Sequence, residues 1–173
     1  MDYHRVRTTR RIFVKRTTAQ GKAAGAWSPK YPLHRAVPIT LLRAREAYME
    51  HSRSIFAKMG ITEQQWRVMR VLYSRGRVES WQLAQDAYLL KPSLSRILRD
   101  LSAEKYLKKE VDRADSRRVW VSLTSRGVAL CNKVGPMLEL NQQQVLADFP
   151  SADLQTLLDL LDKFAAAARG NGR

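Results

Sequence analysis

Apolar residues recur every seven positions near the middle of the chain. Leu41, Tyr48 and Ile55 form one row, and Leu42, Met49 and Phe56 a second. The rows predict an amphipathic helix from Pro38 to Met59. Gly60 then stands where helices commonly leave through a left-handed residue. Thr62-Glu-Gln-Gln65 reads as a capping box, with Ile61 and Trp66 placed as the hydrophobic staple around it. A second helix runs from there to about Ser74, with Trp66, Val68, Met69, Val71 and Leu72 to bury. Ser74-Arg-Gly76-Arg is a turn, and Val78 a single strand residue. Ser80 is placed to cap a short third helix, Trp81 to Ala87. Pro92 suits the first turn of a fourth. In that fourth helix Leu94, Ile97, Leu98 and Leu101 share one face, whereas Pro92, Ser95, Arg96 and Arg99 look the other way.

The period then changes from helical to alternating. Val119, Val121 and Leu123 alternate with Trp120 and Ser122, the pattern of a half-buried strand. Together with the β-like run Leu107 to Val111 this predicts a hairpin whose tip is Asp112-Arg-Ala-Asp-Ser-Arg-Arg118. Thr124 caps a long helix from Ser125 to about Asp148, which Gly135-Pro136 should bend. A last helix starts at Pro150-Ser151 and ends at Gly170. Its stripe of Leu154, Leu157, Leu158, Leu161, Phe164 and Ala165 is too wide for an exposed helix of a monomer. The fold class is mainly α with a small β-hairpin wing: a winged helix-turn-helix over residues 60–123, bracketed by helices at 38–59 and 124–169.

Charge adds a partner. The 173 residues carry 31 Lys and Arg against 16 Asp and Glu, a formal net charge of +15. Such an excess points to a polyanion, nucleic acid before an anionic membrane. Residues 1–37 hold nine basic residues and one acid, with small residues and prolines interspersed. They read as a basic arm without fixed structure. The arm is Arg-rich and acid-poor like a transit peptide, but it lacks an amphipathic stripe. A solvated tail, a DNA-contacting arm and translation from a start codon upstream of the true one all remain open. The surplus of the remainder lies before residue 119, for residues 119–173 hold five basic and five acidic residues. The longest unbroken apolar run, Phe164 to Ala168, is far short of the ~20 residues that span a bilayer. One cysteine, Cys131, excludes an intrachain disulfide and fits a reducing, cytoplasmic setting. No metal cluster, paired-carboxylate cleft, nucleophile triad or phosphate-binding glycine loop is present, so no enzyme, metal or cofactor is expected.

In the words Gly60-Ile-Thr-Glu-Gln-Gln-Trp66, Lys91-Pro-Ser-Leu-Ser-Arg96, Asp115-Ser-Arg117 and Val121-Ser-Leu-Thr-Ser-Arg-Gly127 the chain resembles the MarR family of bacterial transcriptional regulators. Ala44-Arg-Glu-Ala47 and Thr62-Glu-Gln-Gln-Trp-Arg67 make it similar to regulators of homoprotocatechuate and related aromatic-acid degradation. The resemblance covers about 39–168. It implies a homodimer on a pseudo-palindromic operator in double-stranded DNA. It places Pro92, Ser93, Ser95, Arg96 and Arg99 in the major groove, where arginine reads guanine through two bonds. It places Arg117 in the minor groove with Asp115 holding it, and Arg113 and Arg118 beside them on phosphates. The family usually has glycine where the fourth helix hands over to the wing; here Tyr106 stands there, and local strain or a different helix end is expected.

The resemblance also implies an effector pocket between the first helix, the second and the long one. Arg45 and Ser52 fall on the first helix's apolar stripe, where a polar pair needs partners. The candidates for a small hydroxylated aromatic or pyridine carboxylate are Arg45, Tyr48, His51, Ser52, Trp66 and Arg70. The plainer alternatives are that Arg45 pairs with an acid across the dimer and that Trp66 is core. Cys131, among Val128, Leu130 and Val134, reads as a buried structural thiol. The leading reading is a ligand-responsive repressor of an aromatic-acid operon. The alternative is an architectural protein binding nucleic acid without sequence preference.

Overall fold

The computed structural model describes residues 30–170. Most of the basic arm lies outside the described residues. Its described end is not featureless, because Leu33–Arg35 forms one 3-10 turn ahead of the first helix. Helix α1 spans Val37–Met59 and leaves through Gly60 at φ 67°. Ile61 N donates back to Phe56 O at 3.1 Å. The capping box is complete: Gln65 N donates to Thr62 Oγ1 at 3.1 Å, and Thr62 N to Gln65 Oε1 at 2.8 Å. It starts α2, Glu63–Arg75, with buried Ile61 and half-buried Trp66 in one cluster across the junction.

Strand β1 is two residues, Val78–Glu79, and not one. Helix α3, Ser80–Asp86, begins one residue earlier than expected, with Glu79 as its N-cap. Helix α4 spans Lys91–Ala103, with Pro92 in its first turn. Strands β2, Leu107–Val111, and β3, Val119–Leu123, pair antiparallel from Leu107↔Leu123 to Val111↔Val119. β1 adds on the other side through Val78↔Val121, so β3 is central. One core joins Val68, Met69 and Leu72 of α2, Leu83 of α3, the four expected α4 residues, Leu107, Val121 and Cys131. Each such side chain, fully buried, contributes ~1.5–3 kcal/mol.

At the handover from α4 to the wing the helix ends differently, the second of the two expected courses. The left-handed residue is Lys105 (φ 59°), and Tyr106 is free of it. Placing the exposed, unbranched lysine at the strained position lets the half-buried Tyr106 pack on the core. Thr124 then ties strand to helix: its N–H donates to Tyr106 O at 3.0 Å and its hydroxyl to Lys105 O at 2.7 Å. It caps α5, Ser125–Val145, by accepting from Gly127 N at 3.1 Å.

Helix α5 runs continuously through Gly135-Pro136 and ends at Val145, short of the expected Asp148. A proline disfavours helical geometry in the preceding residue through a clash with its Cβ. Gly135 has none. Helix α6 spans Ser151–Gly170 and buries no residue; Leu157, Leu158, Leu161 and Phe164 stand 37–49% exposed. The wide stripe read from the sequence is therefore present and uncovered. No helix of the described residues is long and apolar enough to cross a membrane.

Candidate nucleic-acid interface and effector cavity

The outer face of α4 presents Pro92, Ser95, Arg96 and Arg99 to solvent, with Ser93 half-buried. The apolar residues at i, i+3, i+4 and i+7 must face the core, so the alternate positions are left outside. Arg96 has no acidic partner among the described residues, and Arg99 has only Asp100 at 3.9 Å. A groove beside this face brings Lys91 and Ser95 together with Ser80, Trp81 and, from the wing, Arg117. Lys91 and Trp81 were not singled out from the sequence. Lys91 lies on the same exposed turn as Pro92 and carries the signal of a further cation.

The wing tip is held by its own side chains. Asp112 Oδ1 accepts from Ala114 N at 2.9 Å and Asp115 N at 3.3 Å. Asp115 Oδ1 accepts from the backbone N of Arg117 at 3.0 Å. The aspartate thus fixes Arg117 through its main chain, and both Arg117 and Arg113 are left exposed. Arg118 differs from Arg113 and Arg117 in having an acidic partner among the described residues. Its Nε donates to Glu79 Oε1 at 2.7 Å and a second guanidinium nitrogen reaches the same oxygen. This pairing braces the wing, while the Arg118 side chain stays 47% exposed.

Glu79 is itself 8% exposed and also accepts from Trp81 Nε1. Bonds from Arg118 first, and Trp81 after it, hold its carboxyl below the usual range. Arg77 and Arg118 both approach the Trp120 ring, with guanidinium carbons 4.6 and 5.3 Å from its centre. The indole N–H of Trp120 donates to Asp112 Oδ2 at 2.9 Å, the largest of the causes that keep Asp112 acidic. Cation–π contacts and charge-assisted bonds reinforce one another here. β1, β2 and β3 are cross-tied at the root of the wing.

A cavity of about 230 Å³ opens between α1, α2 and α5. α1 contributes Tyr48, Met49, Ser52 and Phe56; α2 contributes Glu63, Trp66, Arg67 and Arg70; α5 contributes Gly135, Leu138, Glu139 and Gln142. Four of the six expected residues line it: Tyr48, Ser52, Trp66 and Arg70. Ser52 is 4% exposed and its hydroxyl accepts from Asn141 Nδ2 at 3.1 Å, so the buried polar atom on the stripe has its partner.

Arg45 and His51 do not line the cavity. Arg45 donates to Glu63, and to Glu46 at 2.8 Å, on an exposed flank of α1. Its partner acid is within the same chain, and the Glu63 bond leads the causes that hold its charge. His51 is exposed. The sequence signal missed Arg67, because it lies off the apolar stripe of α2. Arg67 Nη1 donates to Ala87 O at 3.0 Å and Tyr88 O at 3.4 Å, while its Nε is buried without a hydrogen-bond partner. Cys131 is buried, its thiol pushed up to about 11 by desolvation.

Comparison with known proteins decides the family. The homoprotocatechuate degradative operon repressor of Escherichia coli is 36% identical over 141 residues, covering 82% of this chain and 94% of its own. The chain belongs to the MarR family of transcriptional regulators. The model of the transcriptional regulator SarA/Rot family also matches residues 51–134. The MarR-type fold recurs in the crystal structure of transcriptional regulator PA4135, 37% identical with TM-score 0.71, over 76% of this chain and 96% of that one. The crystal structure of NadR in complex with 4-hydroxyphenylacetate is 32% identical with TM-score 0.68, over 80% and 98%. As a MarR-family chain with this winged helix, the protein is a DNA-binding transcriptional regulator.

Proposed function

We propose that this MarR-family regulator is a homodimeric repressor of an aromatic-acid catabolic operon whose grip on DNA is set by a small hydroxylated aromatic carboxylate. The observation that carries this reading is the cavity between α1, α2 and α5. It sets an indole wall, Trp66, beside two arginines, Arg67 and Arg70, with the carboxylates of Glu63 and Glu139 at its margin. Arginines suit a ligand carboxylate bidentately, and the carboxylates suit a ligand hydroxyl as donor. The volume is below that of a drug-sized site and matches a single ring. The 4-hydroxyphenylacetate bound by NadR and the operon named for the Escherichia coli relative support the same ligand class.

In this reading residues 60–123 are the DNA-reading lobe, and the segments 38–59 and 124–169 pair two copies. Pro92, Ser93, Ser95, Arg96 and Arg99 enter the major groove, Arg117 the minor groove, and Arg113 meets phosphate. Footprinting on genomic DNA against salt-matched random DNA tests it. The expected result is a pseudo-palindrome with half-sites about one helical turn apart. Arg96→Ala should cost ~1–3 kcal/mol on the operator and relax preference at particular base pairs. Equal losses on operator and random DNA would leave only an architectural role.

A further inference from the structure

Arg67 links the wall of the cavity to the turn before α4. Its Nη1 donates to the carbonyls of Ala87 and Tyr88, in the turn that leads into α4. Its Nε is buried without an acceptor, since the nearest carboxylate oxygen, Glu63 Oε1, is 3.8 Å away. A buried donor left unpaired is unfavourable, so an acceptor brought to it is favoured. The same side chain lines the wall of the cavity proposed above. The turn it clamps is strained: Tyr88, 80% exposed, sits at φ 51°, a left-handed conformation that a tyrosine rarely adopts.

We propose that Arg67 is the coupling residue between ligand and DNA, alternating between the turn carbonyls and the carboxylate of a ligand in the cavity. With the cavity empty, the guanidinium bridges α2 to the turn and keeps α4 at its angle, at the expense of the orphaned Nε. A ligand carboxylate offers Nε and one Nη a planar, two-bond partner, which neutral carbonyls cannot. The guanidinium then leaves Ala87 and Tyr88, the turn relaxes from its left-handed residue, and the entry of α4 shifts. Arg67 in this scheme is a positioning residue for the recognition helix. The inference rests on the cavity being the effector site.

The experiment uses the full chain, its footprinted operator and 4-hydroxyphenylacetate as probe, with 4-hydroxyphenethyl alcohol as the carboxylate-free control. Calorimetry gives ligand affinity, and operator Kd is measured with and without saturating probe. In the wild type the ratio of the two Kd values should fall in the ~5–150-fold range of ordinary coupling, and near 1 for the alcohol. Arg67→Ala should bind the probe more weakly, through Trp66 and Arg70, yet show a ratio near 1 once saturated. Tyr88→Gly is fully compatible with folding because the side chain is exposed and glycine accepts the turn's geometry. It should keep the probe affinity within about twofold to threefold and lower the ratio, since no strain is left to release. A wild-type ratio in folded Arg67→Ala, or in Tyr88→Gly if the alanine variant does not fold, overturns this inference alone. Failure of the wild type to bind the probe at all overturns the cavity assignment and this inference with it.

Discussion

Gly127 is the residue of α5 that a single methyl group should disable. A Cβ built there would lie 2.0 Å from Tyr106 O, 3.0 Å from Tyr106 C and 3.1 Å from Leu123 Cδ2. Ordinary contact begins near 3.4 Å, so the carbonyl or the helix would have to retreat by about 1.4 Å, the difference of 3.4 and 2.0. Neither can do so freely. Tyr106 O accepts from Thr124 N, and the next residue, Leu107, pairs with Leu123 in the sheet. Overpacking typically costs ~1–3 kcal/mol, and a clash with backbone falls at or above the top of that range. For a chain of this size ~3 kcal/mol corresponds to a fall in Tm of roughly 6–12 °C. Thermal unfolding by circular dichroism, at one fixed protein concentration, measures it. A Gly127→Ala variant melting within 2 °C of the wild type would refute the reasoning, and the glycine would then need another explanation than close approach.

Three further outcomes follow from the geometry. Leu161→Asp places a carboxylate on the uncovered face of α6 and should turn a dimer into monomer or aggregate; a wild type that scatters light as a ~20 kDa monomer at micromolar concentration removes the dimer from the proposal. Glu79 and Asp112 both have carboxyls held below their ordinary values, so the stability they contribute is present above those ordinary values and lost as pH falls through the lower folded ones. Tryptophan emission should therefore report loosening of the wing only below about pH 4, and Glu79→Gln should shift that transition; an identical acid limb in the variant would rule Glu79 out as its source. Cys131, buried with its thiol at about 11, should resist alkylation at pH 8 in the folded protein and react at once in denaturant; equal rates in the two states would contradict its burial.

Much of the fold was legible because its signals are local. The capping box at Thr62, the glycine exit at Gly60 and the alternation of β3 each specify an element within a few residues, and each formed as read. What failed depended on contacts remote in sequence. Periodicity placed Arg45 on a stripe, but the first half of α1 leaves Leu41 and Leu42 38% and 52% exposed, so the stripe there is not a buried surface and Arg45 turns to Glu63 and Glu46. Arg67 was invisible for the converse reason. It lies off the stripe of α2, and only the approach of the α3–α4 turn gives it carbonyls to hold. Arg118 looked like Arg117 in a run of charges, and it took a glutamate 39 positions earlier to tell the two apart. Pro136 lies within α5 without ending it, and Gly135 before it lacks the Cβ that a proline ring crowds.

The knot at the root of the wing bears on how such regulators diversify. Arg77 precedes β1, Glu79 lies within it, Asp112 follows β2, Arg118 precedes β3 and Trp120 lies within it; all five meet around one indole and one carboxylate. The wing is therefore not a cassette. A hairpin transplanted from a relative over residues 107–123 would arrive without Arg77 and Glu79, and a recipient lacking them would leave its Arg118 equivalent with no fixed anchor. If the proposed DNA contacts hold, new operator preferences are more accessible by exchanging the exposed tip side chains Arg113 or Arg117 than by exchanging the strands. The tip is open to variation, while the root changes as a set.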